Sequence, residues 1–225
     1  MQTTEPIASA LSITPDFLEP LWPARIAIIV IIALQIVLSA HLTLGPNWLL
    51  PALELAMLIP LSIAPRDHVV GKHRSIRIGA ISLIAVINAS NVISLVFLVL
   101  SLIHGSKAGG TTLLLDALNI WFTNMIVFAL WYWELDQGGP HERGQDGCDA
   151  PDFLFAQMSS PQFARANWRP SFVDYLFTSF TNATAFSPTD TLPLSGLAKI
   201  LMMVQASTSL LTVALVASRA VNILN

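Results

Sequence analysis

The chain has 225 residues, of which 54% are hydrophobic and 11% charged, whereas soluble domains carry about 25% charged residues. The formal net charge is −3 and no basic residues cluster into a nucleic-acid-binding face, so nucleic acid is excluded as a partner. The lone Cys148 excludes an intrachain disulfide. Composition therefore predicts one membrane domain with the lipid bilayer as its surroundings.

The first 24 residues contain acidic residues but no lysine or arginine. They lack the basic region that opens a cleavable signal peptide, so we expect the first apolar stretch to be retained. Prolines punctuate residues 6–21, which predicts a segment that lies at the membrane interface or is loosely ordered.

Five apolar stretches follow, and a helix needs about 20 residues to cross the hydrocarbon core. The second stretch is short and contains two prolines. The predicted helices span residues 26–44, 48–64, 78–103, 112–135 and 197–221. The sequence thus predicts an all-α membrane protein with about five transmembrane helices, divided into an N-terminal interfacial segment (1–24), a three-helix membrane region (25–111) and a two-helix module (112–225).

The connections differ in character. Residues 65–77 hold four of the eleven basic residues and are predicted to be a loop. The fourth helix ends in Trp131, Tyr132 and Trp133, aromatic residues that are typical of a membrane interface. Residues 136–170 are rich in glycine, proline and acidic side chains, which predicts a solvated polar loop.

Residues 171–186 are apolar enough to enter the membrane but too short to cross it, and prolines follow at 188 and 193. Pro170, Ser171 and Asp174 form a capping-box-like start for a short helix. A re-entrant hairpin between the fourth and fifth transmembrane helices fits this pattern. Irregular backbone at membrane depth is tolerated only beside protein or water, so the hairpin predicts a cavity.

A polar stripe follows on the last helix. Its members recur at helical steps of three, four and seven residues: Gln205, Thr208, Ser209, Thr212 and Arg219. We predict that they line a water-filled pore. The alternative is that hydroxyl groups and small side chains serve close helix packing, which is common in membranes.

The segments Asp174–Phe180 and Thr184–Pro193, placed between two apolar helices, resemble the pore module of tetrameric potassium channels. That module has a pore helix, a Thr-Val-Gly-Tyr-Gly-Asp filter and a trailing proline. The resemblance covers residues 112–222 and implies a homo-oligomer, with a tetramer expected. The positions that fall on the filter and its threonine region are Thr184, Ala185, Phe186, Ser187, Pro188, Thr189 and Asp190.

Ser187 and Thr189 replace the two filter glycines. Glycine supplies the unusual dihedral angles that turn successive carbonyl groups toward a potassium ion, so potassium selectivity is not expected here. We predict instead a constriction lined by side chains, in which a ring of Asp190 carboxylates favours cations. The alternative is that Asp190 only accepts hydrogen bonds from loop amides.

A second resemblance covers the whole chain. A Phe-Ala-Leu-x-Tyr pattern at 128–132 and an Ala-Val-Asn pattern at 220–222 resemble a little-characterised group of bacterial multi-pass membrane proteins. This implies a location in the bacterial inner membrane and assigns no chemistry.

The distribution of basic residues conflicts with the orientation of potassium channels. With the filter-like loop outside, nine of the eleven basic residues would also be outside, against the positive-inside rule. We therefore predict that the loop enters from the cytoplasm, an inverted arrangement that resembles ionotropic glutamate receptors.

Two acidic residues fall within predicted helices. Glu54 lies near the middle of the bilayer, and Asp116 lies on the fourth helix. Such residues are candidates for an ion or proton path, which keeps a proton- or ion-coupled transporter open beside the channel, as well as a non-conducting membrane assembly. The alternative for Glu54 is a hydrogen-bonded contact between helices.

No catalytic, phosphate-binding or metal-binding motif is present, so we expect neither an enzyme nor a cofactor or metal site.

Overall fold

A computed structural model describes residues 20–38, 42–43, 46, 48–63, 70–104, 109–140, 142–143, 150–166, 168–184 and 191–224, with side chains for all of these except 60–63, 70–74 and 219–224. About 80% of the described residues are helical, which confirms the all-α prediction. Residues 1–19 of the predicted N-terminal interfacial segment (1–24) and residues 65–69 of the predicted loop (65–77) lie outside the described residues.

The described elements follow one another in chain order. The helices are α1 (Trp22–Val37), α2 (Leu49–Ile63), α3 (Val70–Ile103), α4 (Gly110–Leu135), α5 (Ala156–Ser159), α6 (Phe172–Ala183) and α7 (Gly196–Leu224). Short 3₁₀ turns lie at Asp136–Gly138 and Pro161–Phe163, and two three-residue strands are β1 (Phe153–Phe155) and β2 (Thr191–Pro193).

Within the part of the chain that the structure describes, three helical stretches are long and apolar enough to cross a membrane: Ser75–Ile103, Gly110–Gly138 and Gly196–Ser218. The apolar helices Trp22–Val37 and Leu49–Ile59 are shorter. The structure therefore supports three membrane-crossing helices by length and composition, fewer than the five predicted.

Three predicted helix boundaries are wrong. The first helix was expected over 26–44, but α1 begins at Trp22, with Pro23 in its first turn, and ends at Val37 before an extended Leu38. Proline is well suited to the first turn of a helix because its missing N–H would have no partner there. The third helix begins at Val70 rather than 78, so Lys72, Arg74 and Arg77 belong to its first turns. Lysine and arginine are good helix formers and can extend a membrane helix beyond its apolar part.

Helix α4 is the centre of the fold and packs against α1, α3, α6 and α7. One apolar core surrounds its second half, where Val127, Ala129 and Leu130 are almost fully buried. A second, smaller core joins its first half to α1 and α3 through Leu113, Ala117 and neighbouring leucines. Because α4 contacts both α6 and α7, it positions the two other helices of the predicted pore module.

Helix α4 ends in a turn with three consecutive positive φ angles, 54° at Gln137, 80° at Gly138 and 94° at Gly139. A Cβ at Gly139 would lie 2.9 Å from the carbonyl oxygen of Glu134. Glycine is therefore needed at 139 for both its dihedral angles and its close approach to the helix. This turn directs the following segment back over the end of α4.

Candidate functional site

Helix α6 begins with the capping box that the sequence predicted. The Asp174 carboxylate accepts a hydrogen bond of 2.8 Å from the Ser171 backbone N–H, and the Ser171 side chain caps the first turn in return. The helix is only 12 residues long. Its buried face is largely polar, with Tyr175, Thr178, Ser179 and Asn182. Its outer face is apolar, as expected for a helix that meets lipid or another subunit rather than water.

Contacts with α4 show how far α6 extends along that helix. The Phe172 ring packs edge-on against Trp133 at 5.9 Å, and the Ser179 hydroxyl donates a 2.6 Å hydrogen bond to the Met125 carbonyl. At the other end of α6, Trp121 Nε1 lies 3.4 Å from the Ala183 carbonyl oxygen. The two helices are therefore antiparallel. Trp121 is about 21 Å from the C-terminal end of α4 and about 16 Å from its beginning, so α6 stops near the middle of α4.

After α6 the chain returns to the end at which α6 began. Strand β2 pairs antiparallel with β1, with Thr191 opposite Phe155. The Leu194 N–H donates a 2.8 Å hydrogen bond to the Asp152 carbonyl. The hydroxyl oxygens of Thr178 and Thr191 lie 3.1 Å apart. The start of α6 and strand β2 therefore lie at the same end of the helix bundle.

A buried hydrogen-bond network joins α6 to α4 and α7, with Gln205 at its centre. The Gln205 amide nitrogen donates to the Ser179 carbonyl at 2.9 Å and to the Ser179 hydroxyl at 2.6 Å. The Gln205 amide oxygen accepts from the Tyr132 hydroxyl at 2.5 Å and from Asn182 Nδ2 at 2.7 Å. Asn182 also donates to the Met202 carbonyl at 3.0 Å. Every polar atom of the Gln205 side chain therefore has a partner on another helix.

One turn further along α7, Asn124 of α4 donates a 2.9 Å hydrogen bond to the Ser209 hydroxyl. Gln205, Ser209 and Thr212 are at most 1% exposed, so all three are buried between helices of this chain. Thr208 and Thr212 donate hydrogen bonds to carbonyl groups of their own helix. This placement matches the alternative interpretation of the polar stripe, in which its side chains hold helices together. The side chain of Arg219 is outside the described part of the chain.

The predicted constriction begins at the end of α6. Thr184 is partly buried, and its hydroxyl hydrogen-bonds to the carbonyl groups of Phe180 and Thr181, both at 3.1 Å. This hydroxyl is therefore engaged with the last turn of α6. The other six predicted positions, Ala185, Phe186, Ser187, Pro188, Thr189 and Asp190, lie outside the described residues.

The segment after α4 is more structured than the solvated loop that the sequence predicted. Asp136 is fully buried, and its carboxylate accepts hydrogen bonds from the Tyr175 hydroxyl at 2.5 Å and the Asp152 N–H at 2.7 Å. Arg143 is 6% exposed, donates to the Trp133 carbonyl and lies 4.8 Å above the Tyr175 ring. The prediction failed because a charged side chain can be buried where polar groups and aromatic rings from other segments contact it, and such contacts are not visible in the local sequence.

Aromatic residues complete this connection. Phe153 of β1 packs against Tyr132 at 5.0 Å, and Phe155 packs against Tyr175 at 5.2 Å. Tyr132 itself is fully buried, so it does not mark an exposed interface as its sequence neighbourhood suggested. The beginning of α6 is thus held by an aromatic cluster and by the Asp136 carboxylate together.

The two acidic residues that were predicted to lie within the membrane, Glu54 and Asp116, are both buried. Glu54 is 0% exposed and accepts a 2.7 Å hydrogen bond from Gln35 Nε2 of α1. Among the described residues, the second Glu54 carboxylate oxygen and the Gln35 amide oxygen have no hydrogen-bond partner. Asp116 of α4 is 4% exposed. One turn further along α4, Asn119 donates a 2.7 Å hydrogen bond to the Leu34 carbonyl, which fixes α1 beside α4.

The outer faces of α6 and α7 are apolar. Val173 and Phe177 of α6 are 64% and 52% exposed, and Met203 and Leu210 of α7 are 61% and 64% exposed. In water such a surface would be unfavourable, whereas lipid or a neighbouring subunit covers it without cost.

Within the described residues, no group of three or more histidine, cysteine or acidic side chains is placed to hold a metal ion.

Sequence reasoning did not identify Asn182, Ser179 and Tyr132 as partners of Gln205. The signal was present in α6, where polar residues recur at 175, 178, 179 and 182, a helical spacing that marks one face. Nothing in the sequence indicated the Asp136, Arg143 and Tyr175 contacts, because they join positions up to 39 residues apart.

The chain matches no protein-family model, no curated protein and no solved structure.

Proposed function

We propose that this protein is a homo-oligomeric, channel-like membrane protein in which residues 184–190 form a cation-permeable constriction with a non-standard filter. The observation that carries the proposal is the course of α6, a 12-residue helix that stops near the middle of α4 and is followed by a return to its starting end. A half-length helix with a returning loop is the arrangement that a pore loop requires.

The Gln205 network supports this proposal by holding α6 in place. A loop that coordinates ions needs a rigid support, and hydrogen bonds from Gln205, Ser179 and Asn182 join α6 to the two neighbouring helices. The polar stripe then serves the pore indirectly, since its buried members fix the helix rather than line the path. The water-facing surface is assigned to the loop itself, with Asp190 as its acidic member.

An oligomer, with a tetramer expected from the resemblance to potassium channels, supplies the axis for this pore. The exposed apolar faces of α6 and α7, with Phe177 and Leu210 among their members, offer surface for contacts between subunits. A monomer would leave the loop beside lipid, where backbone polar groups have no partner.

We place the protein in the inner membrane with five spans, α1 and α2 included. Both helices are short, but Gln35 of α1 bonds to Glu54 of α2 and the Leu34 carbonyl of α1 accepts from Asn119 of α4. These contacts hold α1 and α2 alongside α4, and a bilayer adapts to short spans by thinning. The end of the bundle at which α6 begins also carries Arg25, Arg77 and Arg143, so the positive-inside rule places it in the cytoplasm.

The experiment is ion flux in liposomes that contain the purified protein, together with its oligomeric state in detergent. We expect flux of monovalent cations that falls severalfold in Asp190→Asn and changes in Thr184→Val. Thr208→Val is the matched control, because among the described residues the Thr208 side chain bonds to the Val204 carbonyl of its own helix. A monomeric protein without flux at any voltage or ionic condition would contradict the proposal.

A second candidate, a proton- or ion-coupled transporter, is favoured by the Glu54 site. A fully buried carboxylate with one oxygen unpartnered among the described residues is suited to binding a proton or a cation. This candidate predicts saturable uptake that is lost in Glu54→Gln and unchanged in Asp190→Asn. The channel proposal predicts the opposite pair of results.

A further inference from the structure

An open cleft lies between α1, α2 and α3 at the C-terminal end of α4. Its walls are apolar and include Ile28 of α1, Leu58 of α2, Ala80 of α3 and Leu130 of α4. The cleft is therefore an apolar groove between helices, which a single acyl chain can enter.

The cleft also has charged side chains. Arg25 near the beginning of α1, Arg77 in the second turn of α3 and Glu134 in the last turn of α4 line it. The Glu142 carboxylate lies beside Arg77 as well, so these four groups balance in charge. The first turns of α3 add Lys72 and Arg74 to this end of the bundle, which makes the surroundings of the cleft basic. The apolar walls are suited to the acyl chain of a lipid, and the arginines near the helix ends are suited to its negatively charged headgroup.

We propose that this cleft binds an anionic phospholipid, with an acyl chain against Ile28, Leu58 and Ala80 and the phosphate between Arg25 and Arg77. Basic pockets between transmembrane helices are suited to anionic headgroups, and arginine binds phosphate oxygens through two parallel hydrogen bonds. The surrounding bilayer supplies the lipid.

The Arg77 guanidinium lies 3.8 Å from the Glu142 carboxylate, and both side chains are partly exposed. Ion pairs of this exposed kind contribute little free energy, so a phosphate group can compete for Arg77. Glu142 belongs to the segment that follows α4 and leads toward β1 and α6. A lipid bound at Arg77 would therefore lie next to the segment that connects α4 to β1 and α6.

Native mass spectrometry of the full-length protein tests this proposal. Phosphatidylglycerol and phosphatidylcholine with identical acyl chains are titrated, and the ratio of lipid-bound to free protein is measured. We expect phosphatidylglycerol to bind more tightly than phosphatidylcholine, and Arg77→Gln or Arg25→Gln to weaken phosphatidylglycerol binding about tenfold, the effect of one charge-assisted hydrogen bond. Arg165→Gln is the matched control, since Arg165 is an exposed arginine outside this cleft.

A second variant, Ala80→Phe, fills the cleft and leaves both arginines in place. It should reduce phosphatidylglycerol binding about as much as Arg77→Gln, whereas Ala214→Phe on the exposed face of α7 should leave it unchanged. Equal binding of the two lipids would overturn the proposal. Equal effects of Arg77→Gln and Arg165→Gln on phosphatidylglycerol binding would also overturn it. So would a second protein copy, rather than lipid, bound at the unfilled cleft of the unsubstituted protein.

Discussion

Replacing Gln205 with leucine tests whether the buried network holds α6 against α4 and α7. Leucine has a similar volume and keeps the apolar packing, but it removes four side-chain hydrogen bonds to Ser179, Tyr132 and Asn182. Hydrogen bonds between membrane helices contribute about 0.6 kcal/mol each on average and up to about 1.7 kcal/mol. We therefore expect the free energy of unfolding to fall by about 2–4 kcal/mol.

The assay is reversible unfolding in mixed micelles, followed by circular dichroism as the fraction of denaturing detergent is raised. Thr208→Val is the control, because it removes one hydrogen bond within α7 and none between helices. It should change the free energy of unfolding by less than about 0.5 kcal/mol. Tyr132→Phe combined with Gln205→Leu should cost less than the two single changes together, since both remove the same 2.5 Å contact. Equal destabilisation by Gln205→Leu and Thr208→Val would refute the assigned role.

Three further predictions follow from other contacts. Asp136→Ala should lower the free energy of unfolding by about 2–4 kcal/mol in the same assay and Tyr175→Phe by about 1 kcal/mol, because Asp136→Ala removes the bonds from both Tyr175 and Asp152 whereas Tyr175→Phe removes only the first of these two; equal effects would contradict this. Glu54→Leu should cost about 1–3 kcal/mol and Glu54→Gln less, since a glutamine can still bond to Gln35; the reverse order would be inconsistent with the Gln35 contact. A reporter fused after Asn225 should be active outside the cytoplasm, and a cytoplasmic signal would exclude the inverted orientation.

Local signals in the sequence predicted much of the fold. Hydropathy identified α2, α4 and α7, and Ser171 with Asp174 located the start of α6 to within one residue. These features depend on residues that are close in sequence. The prediction for α3 failed at its N-terminal end because hydropathy marks the apolar part of a helix and not its basic first turns.

The contacts of the candidate site could be predicted only in part. The polar stripe of α7 was visible from spacing, but spacing alone cannot tell whether Gln205 and Ser209 face water or a neighbouring helix. That distinction depends on the partners Asn182 and Asn124, which are 23 and 85 residues away. The pairing of β1 with β2 likewise joins positions that are far apart in sequence. Phe153 pairs with Pro193, and α6 lies between them in the chain.

The central claim is that the loop after α6 lines an ion path, and thiol modification of Ser187→Cys tests it most directly. The background is Cys148→Ser, and the measurement is current across a planar bilayer before and after a charged, membrane-impermeant thiol reagent is added. We predict that the reagent blocks most of the current in Ser187→Cys and none in Ser207→Cys, an exposed position on the outer face of α7. The absence of any current, or a current that modification at 187 leaves unchanged, would contradict the account.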